Sequence, residues 1–337
     1  MTHKKAFVTG AAGFIGYHLA RRLLTEGWAV QGLDGMTPYY SPRLKKARLD
    51  NLQSFDNFEF HEGMIEETGY VTKLVSEFKP NVMVHLAAQA GVRYSIDSPR
   101  SYVSSNLIGS HEVLEAARLH TPEHLMMAST SSAYGANDKM PYSETDRAVH
   151  PMSFYAATKI ANEAMAHSYA HLFGVPTTMF RFFTVYGTWG RPDMALFKFT
   201  KAILNGEPID VYNYGNMQRD FTYVDDLVEG IARLTSVAPD NAPLGVHDNL
   251  SPVAPFRVVN IGNGVPIRLK EFISAIEKAT GLRAEQNLMP MQPGDVPATW
   301  ADAKLIEALV GTLPRTPIDE GVGKFVDWYR SWHRSVQ

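Results

Sequence analysis

Thr9-Gly10-Ala11-Ala12-Gly13-Phe14-Ile15-Gly16 follows a short apolar run, Ala6-Phe7-Val8, and opens a stretch in which Ile15, Leu19 and Leu23 recur at helical spacing. Glycines at positions 10, 13 and 16 permit a tight turn and a close approach of backbone to a bound phosphate. The turn also aims the N-terminus of the next helix at negative charge. Taken alone, the triplet also fits an ordinary strand–helix turn. Its surroundings select the dinucleotide reading. The next apolar strand, Ala29–Leu33, ends at Asp34. A carboxylate there can accept hydrogen bonds from both hydroxyls of a ribose and repels a 2′-phosphate. Gly35 and Met36 follow with no adjacent arginine, so the pattern favours NAD over NADP.

Working outward, strands and helices alternate through the first half. Phe58–His61 is a third strand. Val82-Met83-Val84-His85-Leu86 is a near-continuous apolar run, as a strand covered on both faces requires. A long helix follows Pro99 and carries Val113, Leu114 and Ala117. Leu125–Ala128 is the next strand, and a helix from Tyr155 to His171 leads to the strand Thr177–Phe182. This rhythm predicts an α/β fold with a doubly wound parallel (Rossmann) sheet. After Phe183 the pattern loosens into shorter elements, Ala195–Leu204, Asp225–Leu234 and Leu269–Ala279, with a surface loop over Ala238–Pro255. We expect a NAD-binding unit over residues 1–183 that carries the Tyr155 helix. Residues 184–337 form a smaller C-terminal substrate-binding lobe, some of whose segments return to the sheet.

The chain has 337 residues, 45% of them hydrophobic, enough to bury one large core or two smaller ones. A formal net charge of −3 makes no electrostatic case for nucleic acid or an anionic membrane as partner. No run approaches the ~18 apolar residues of a membrane span. Lys4-Lys5 before Ala6-Phe7-Val8 resembles the start of a signal peptide, but the apolar stretch breaks at Gly10. Cysteine is absent, which excludes disulfides and thiolate metal sites and fits a cytoplasmic setting.

A second phrase carries the chemistry. In Tyr155-Ala156-Ala157-Thr158-Lys159, the phenol and the ammonium stand four residues apart and share one face of the predicted helix. A free tyrosine has a pKa near ~10. A nearby Lys⁺ and the positive ring of NAD⁺ favour phenolate, moving the tyrosine toward use as a base. Alone, such a pair is commonly an ordinary surface pair; with the glycine turn it reads as an acid–base device. Ser129-Thr130-Ser131-Ser132-Ala133-Tyr134-Gly135 follows an apolar strand, where parallel sheets place their ligands. Taken alone, this cluster is a polar turn.

Other features take plain readings. His167 and His171 are placed on a helix surface or interface, with no His-Glu-x-x-His pattern or third metal ligand in view. The basic run Arg43, Lys45, Lys46, Arg48 is a solvated helix face. Met194 and Phe197 are packing residues. Trp189 either covers the sugar site or is a plain surface aromatic.

Over nearly its whole length the sequence resembles the extended short-chain dehydrogenase/reductase superfamily. The resemblance rests on the glycine turn, Leu86-Ala87-Ala88-Gln89, the Ser/Thr cluster before Tyr134-Gly135, Tyr155-x-x-x-Lys159, and Arg219-Asp220-Phe221-Thr222-Tyr223-Val224-Asp225-Asp226. Within it the chain is most similar to the UDP-glucuronate 4-epimerase family. That likeness rests on Ala90-Gly91-Val92-Arg93-Tyr94-Ser95, Arg181-Phe182-Phe183-Thr184-Val185-Tyr186-Gly187 and Gly190-Arg191-Pro192-Asp193-Met194-Ala195-Leu196-Phe197-Lys198-Phe199. The resemblance implies a catalytic triad of Thr130, Tyr155 and Lys159. It implies NAD held by Gly10, Gly13, Phe14, Ile15, Gly16, Asp34, Met64, Ile65, Leu86, Ala87, Ala88, Gln89, Asn106, Tyr155 and Lys159. Substrate contacts follow from it too: Thr130, Ser131, Ser132 and Thr184 near the sugar and its carboxylate, Arg191 and Arg93 near the UDP-sugar, Arg219 on the pyrophosphate, Tyr212 against uracil and Asp295 near the uridine ribose. A homodimer built on the helices after Pro99 and around Tyr155 is implied as well.

The sequence departs from that family's pattern in three places. Met64 stands where an Asp commonly follows the glycine matching Gly63, Gly35 replaces a common Asn, and Ala133 replaces a usual Val. The implied reaction is NAD-dependent inversion of carbon-4 of a UDP-hexuronic acid. Alternatives from the same residues are UDP-glucose 4-epimerisation, decarboxylation, dehydration, or a catalytically silent nucleotide-binding protein. Decarboxylases commonly carry Glu at the position of Ser132, and dehydratases an Asp-Glu pair after the catalytic Thr; neither is present.

Overall fold

The apolar runs of the first half become the strands of one sheet in the computed structural model, which describes residues 4–240, 242–292 and 294–336. They are β1 (Lys5–Thr9), β2 (Ala29–Asp34), β3 (Phe58–Glu62), β4 (Val82–His85), β5 (His124–Thr130) and β6 (Thr177–Phe182). Three short strands follow: β7 (Thr184–Tyr186), β8 (Ile209–Val211) and β9 (Gln218–Tyr223). The chain then returns through β10 (Phe256–Ile261), which pairs with β6 and completes a seven-stranded sheet of order β10-β6-β5-β4-β1-β2-β3. Every neighbouring pair is parallel. Strand order reverses between β1 and β4, which is where an open α/β sheet leaves its ligand crevice.

Helices cover both faces. They are α1 (Phe14–Thr25), α2 (Pro42–Leu52), α3 (Tyr70–Phe78), α4 (Tyr94–Asp97), α5 (Pro99–Tyr102), α6 (Gly109–His120), α7 (Phe154–Phe173), α8 (Ala195–Asn205), α9 (Val224–Leu234), α10 (Leu269–Thr280), α11 (Lys304–Val310) and α12 (Ile318–Val336). Alternation along the strands divides the core. Ala6, Val8, Val82, Val84, Met126 and Phe180 face α1, α9 and α11. Phe7, Met83, Leu125, Met127 and Met179 face α3, α6 and α7. A third cluster, with Tyr186, Phe197, Phe221, Phe272 and Phe325 at its centre, lies in the second half of the chain. The helix predicted after Pro99 starts there but passes through a π-helical stretch, Val103–Ile108, before α6. Among the described residues no helix is long and apolar enough to cross a membrane.

One expectation is corrected. The basic run of α2 is a solvated face only in part: Arg43 and Lys46 are exposed, but Lys45 and Arg48 are buried, at 6% and 0% exposure. Long basic stems can bury their methylenes when the heads find acceptors, and here Arg48 reaches Ala12, Tyr40 and Trp189.

In the second half, β9 is flanked by β7, β11 (Pro266–Arg268) and β13 (Ala298–Thr299), while β12 (Gln286–Leu288) pairs with β8. Asp220, fully buried on β9, ties these pieces together. Its carboxylate accepts the backbone N–H groups of Asn263 at 2.7 Å, Gly264 at 2.9 Å and Ala301 at 3.1 Å. Buried N–H groups stripped of their acceptor cost ~1–3 kcal/mol each. Asp220→Ala should therefore cost about 3 kcal/mol or more, and Asp220→Asn, which keeps one acceptor oxygen, distinctly less. Urea unfolding followed by fluorescence measures both; equal stability of Asp220→Ala and wild type would contradict this role.

Candidate active site

The crevice opens where β1 and β4 end. Gly10 has a left-handed φ of 72°, and a Cβ on it would lie 2.8 Å from the Ala87 nitrogen. A Cβ on Gly16 would lie 2.0 Å from the Gly10 carbonyl oxygen. Both positions need glycine, because the turn folds back onto α1 and against the chain leaving β4. α1 begins with no side-chain cap and no acidic residue in its first turn, so its leading N–H groups remain available to an anion. Asp34 braces the turn: one carboxylate oxygen accepts the N–H of Ala12 at 3.1 Å, the other that of Met36 at 2.9 Å. A backbone cradle a Cβ would fill, an open helix N-terminus and a carboxylate at the next strand end together fit a dinucleotide.

The cleft has a volume of about 1000 Å³. Gly10, Gly13, Phe14, Ile15, Gly16, Asp34, Met64, Ile65, Leu86, Ala87, Ala88 and Gln89 all line it. Two departures from the family pattern meet here, since a Cβ on Gly35 would lie 2.4 Å from the Met64 sulfur. Asn106 does not line the cleft. It is fully buried in the π-helical stretch and clamps the wall from behind. Its Oδ1 accepts the Gln89 N–H at 2.8 Å, and its Nδ2 donates to the Gln89 carbonyl and the Thr158 hydroxyl, both at 3.1 Å.

Thr130, Tyr155 and Lys159 converge midway along the cleft. α7 is capped by Ser153, whose hydroxyl accepts the Ala156 N–H at 3.1 Å, so its first turn presents Tyr155 at the crevice. Lys159 is buried and donates to the Ala128 carbonyl at 2.8 Å. Burial pushes its pKa down to about 8, and the nearby Glu163 carboxylate opposes the shift. Tyr155 was expected to move toward phenolate. Its pKa is instead raised, because burial outweighs the lowering by the Thr130 hydroxyl and the Arg191 charge. His85, buried behind the crevice, is held neutral by burial and by the Lys159 charge, its pKa pushed down to about 3.

Beyond the triad, Ser131, Ser132, Thr184 and Arg191 line the next part of the cleft. Arg191 holds Asp193 through two bonds, 3.0 Å and 2.5 Å, and the Tyr39 hydroxyl donates to Asp193 at 3.2 Å. Although burial opposes it, the Asp193 carboxylate raises the Arg191 pKa further. At the far end Arg93 pairs with Asp295 at 3.2 Å and lies over the Tyr212 ring, 5.1 Å from its centre. Arg219 differs from these. Among the described residues its guanidinium donates to backbone carbonyls, Gln218 at 2.8 Å and Pro297 at 3.2 Å. Burial lowers its pKa, with Asp295 opposing. A half-buried cation supported by neutral acceptors is a ready partner for a phosphate group.

Sequence reasoning missed several of these residues. Lys45 lines the cleft with its ammonium 3.7 Å from Asp34, and Tyr39, Asp193 and Met194 line it too. Glu163, one turn beyond Lys159, accepts from the Ser129 hydroxyl at 2.5 Å and from Arg181 at 2.7 and 2.9 Å. A carboxylate at i+4 from the lysine was the available signal. Trp189 is neither a sugar cover nor a bare surface ring: it lies outside the cleft, packed at a tilt against Tyr17 and Trp328. Phe197 packs in an aromatic cluster. His167 and His171 bond Ser251 and the Val253 carbonyl, which seats the loop before β10 on α7.

The model of the NAD dependent epimerase/dehydratase family matches residues 6–244. The chain is 55% identical to a probable UDP-glucuronate 4-epimerase of Rhizobium meliloti over 97% of each sequence. The solved structure of UDP-glucuronic acid 4-epimerase from Bacillus cereus, in complex with UDP-glucuronic acid and NAD, is 31% identical; it superposes with a TM-score of 0.87 over 97% of this chain and 99% of that one. UDP-glucose 4-epimerase from Thermotoga maritima, with UDP-glucose, is 28% identical and has a TM-score of 0.84 over 98% and 99%.

The Lys159 environment sets a pH dependence. The ammonium is present below its pKa of about 8 and lost above it, so turnover should fall as pH rises through that range. Glu163→Gln removes the anion that holds the pKa up and leaves Arg181 as an uncompensated neighbouring cation. The alkaline limb should then move to lower pH. Rate profiles of both proteins test this, and an unmoved limb in a folded Glu163→Gln would contradict it.

Proposed function

The chain belongs to the NAD dependent epimerase/dehydratase family, and on that premise we propose that it inverts carbon-4 of UDP-glucuronic acid, giving UDP-galacturonic acid. One observation carries the reading. A complete Thr130–Tyr155–Lys159 set shares a single cleft with the Arg219 guanidinium, whose hydrogen bonds go to backbone carbonyls, and with the hydroxyls of Ser131, Ser132 and Thr184. The likeness to the epimerases of Rhizobium meliloti and Bacillus cereus supports it.

The glycine turn and Asp34 hold the NAD, with Met64, Ile65 and Leu86–Gln89 along its walls and Asn106 behind Gln89. When bound, NAD supplies the hydride acceptor and donor through which carbon-4 becomes a ketone and returns to an alcohol. Tyr155 takes the 4-hydroxyl proton and later gives it back, and the Thr130 hydroxyl orients the reacting oxygen. Lys159 holds the tyrosine's anion. Arg219 grips the pyrophosphate, and Tyr212, Arg93 and Asp295 hold the uridine while the sugar turns about its link to UDP and shows its other face.

A uronic acid oxidised at carbon-4 is a β-keto acid and loses carbon dioxide when its carboxylate bond aligns with the ketone π system. Ser131, Ser132 and Thr184 donate to the carboxylate and keep it out of that alignment, and Arg191 lies beside them. The decarboxylases that resemble this chain carry Glu where Ser132 stands, so a neutral clamp favours epimerisation. Residues 1–183 serve the cofactor and the catalytic set, and 184–337 chiefly the nucleotide-sugar, with β10, α9 and α11 returning to the main sheet. We place the enzyme in the cytoplasm as a homodimer. Val103, Ile108, Phe154, Leu172 and Phe173 expose apolar surface on the paired helix region, between 37% and 67% each. That surface suits an isologous four-helix contact.

NMR of the reaction tests the function. UDP-glucuronate should yield UDP-galacturonate, with UDP-glucose a poor substrate because its hydroxymethyl group leaves carboxylate donors unpaired. Tyr155→Phe should keep fold and NAD yet lose about 10²–10⁴-fold or more of the turnover. A UDP-pentose as main product, or equal use of UDP-glucose, would move the assignment to a decarboxylase or a neutral-sugar epimerase. Light scattering at micromolar concentration should report a dimer; a monomer would overturn the assembly.

A further inference from the structure

Arg48 takes no part in the chemistry above, yet it is fully buried and held on three sides. Its side chain is fully buried on α2. Its hydrogen bonds go to neutral acceptors rather than to a carboxylate. Burial lowers its pKa. Such a charge is costly unless protein groups replace the lost water. Three do so. Nη1 donates to the Ala12 carbonyl at 2.9 Å and the Tyr40 hydroxyl at 2.7 Å, and Nη2 donates to the Trp189 carbonyl at 2.5 Å.

These acceptors belong to segments far apart in sequence. Ala12 sits inside the glycine turn, with its own N–H on Asp34. Trp189 sits two residues before Arg191, in a segment with left-handed φ at Gly187 (146°) and Trp189 (58°). That segment is fastened to α1 twice more. His18 Nε2 bonds the Thr188 carbonyl at 2.9 Å, and the Trp189 ring lies 5.5 Å from that of Tyr17. Beyond it Arg191 meets Asp193, which meets Tyr39 from the loop before α2.

We propose that Arg48 is a positioning residue: its forked guanidinium sets the spacing between the cofactor turn and the Gly187–Arg191 segment, and so holds Arg191 at the sugar end of the cleft. Arginine is required for this geometry. Its planar fork reaches two carbonyls from two segments at once, whereas a lysine is a single point donor. An apolar residue would leave the Ala12 and Trp189 carbonyls without donors.

The inference rests on the reading that the sugar lies beside Arg191 and the uridine diphosphate beside Arg219. It predicts a selective effect. In NAD-loaded protein, Arg48→Lys should weaken UDP-glucuronate binding about tenfold or more, the size expected for losing a charge-assisted bond, while UDP alone binds within about threefold of wild type. General loosening of the fold has no reason to separate the two ligands. Isothermal calorimetry with UDP and with UDP-glucuronate, alongside the KM and kcat of each variant, makes the comparison. If Arg48→Lys does not fold, Trp189→Leu carries the test: it keeps the carbonyl, removes the ring contact with Tyr17, and should give the same selective loss in smaller measure. Equal loss for both ligands, or no loss for either, overturns the proposal. A wild type that binds UDP but gains nothing from the glucuronate overturns the functional reading beneath it instead.

Discussion

A buried carboxylate joins the helix that carries the proposed acid–base pair to the strands that carry its partners. Glu163 lies on α7, one turn beyond Lys159. Its oxygens take up Ser129, the residue before Thr130 on β5, and Arg181 on β6. One ion pair therefore registers three elements of the chemistry against one another. Arg181 extends the connection. Its guanidinium lies over the Tyr134 ring at 4.6 Å, Tyr134 stacks on Tyr142 at 4.5 Å, and Tyr142 lines the cleft. Buried ion pairs are expensive to assemble, but breaking one by removing a partner is more expensive still. The cost here gives the triad a fixed frame.

Around that frame the cleft shows a graded supply of positive charge. Arg93 and Arg191 each form an ion pair with a carboxylate, Lys45 leans toward Asp34, and the hydrogen bonds of Arg219 among the described residues go to carbonyls, with Asp295 acting on it at longer range. For Arg191 and Arg219 the difference matches the task proposed for each. A group that must release and re-accept a turning sugar is better left balanced by its own counter-ion. A group that must hold a doubly charged diphosphate through the whole cycle is better left hungry for it. Lys159 stands apart from this series, since what matters there is a proton held near neutrality rather than an attraction.

The sheet was legible because its signals are local. Apolar runs, glycines and an acidic strand end occur within a few residues of one another, and Thr177–Phe182 is a strand with the predicted ends. The Tyr155 helix was legible for the same reason. The misjudged residues depend on partners remote in sequence. Arg48 looks like part of a wet basic face until Trp189 and the glycine turn arrive to cover it, and Lys45 until it meets Asp34 and the Tyr40 ring. Trp189 looks exposed until α12 brings Trp328 against it. The placing of Asn106 failed differently: a buried amide that grips backbone carries the same sequence mark as one that touches a ligand. No pattern along the chain pointed to the Gly35–Met64 fit, because the two positions meet only after β2 and β3 are paired.

The return of β10 to the sheet has an evolutionary and practical edge. The family pattern ends at residue 244, before β10 begins. A chain stopped there would keep the glycine turn, the triad and Arg219, and on paper would look like a finished enzyme. It would also leave one whole side of β6 with unpaired backbone groups, an open template for any other strand in solution. The last ninety or so residues thus include a plug on the sheet, whatever else they bind.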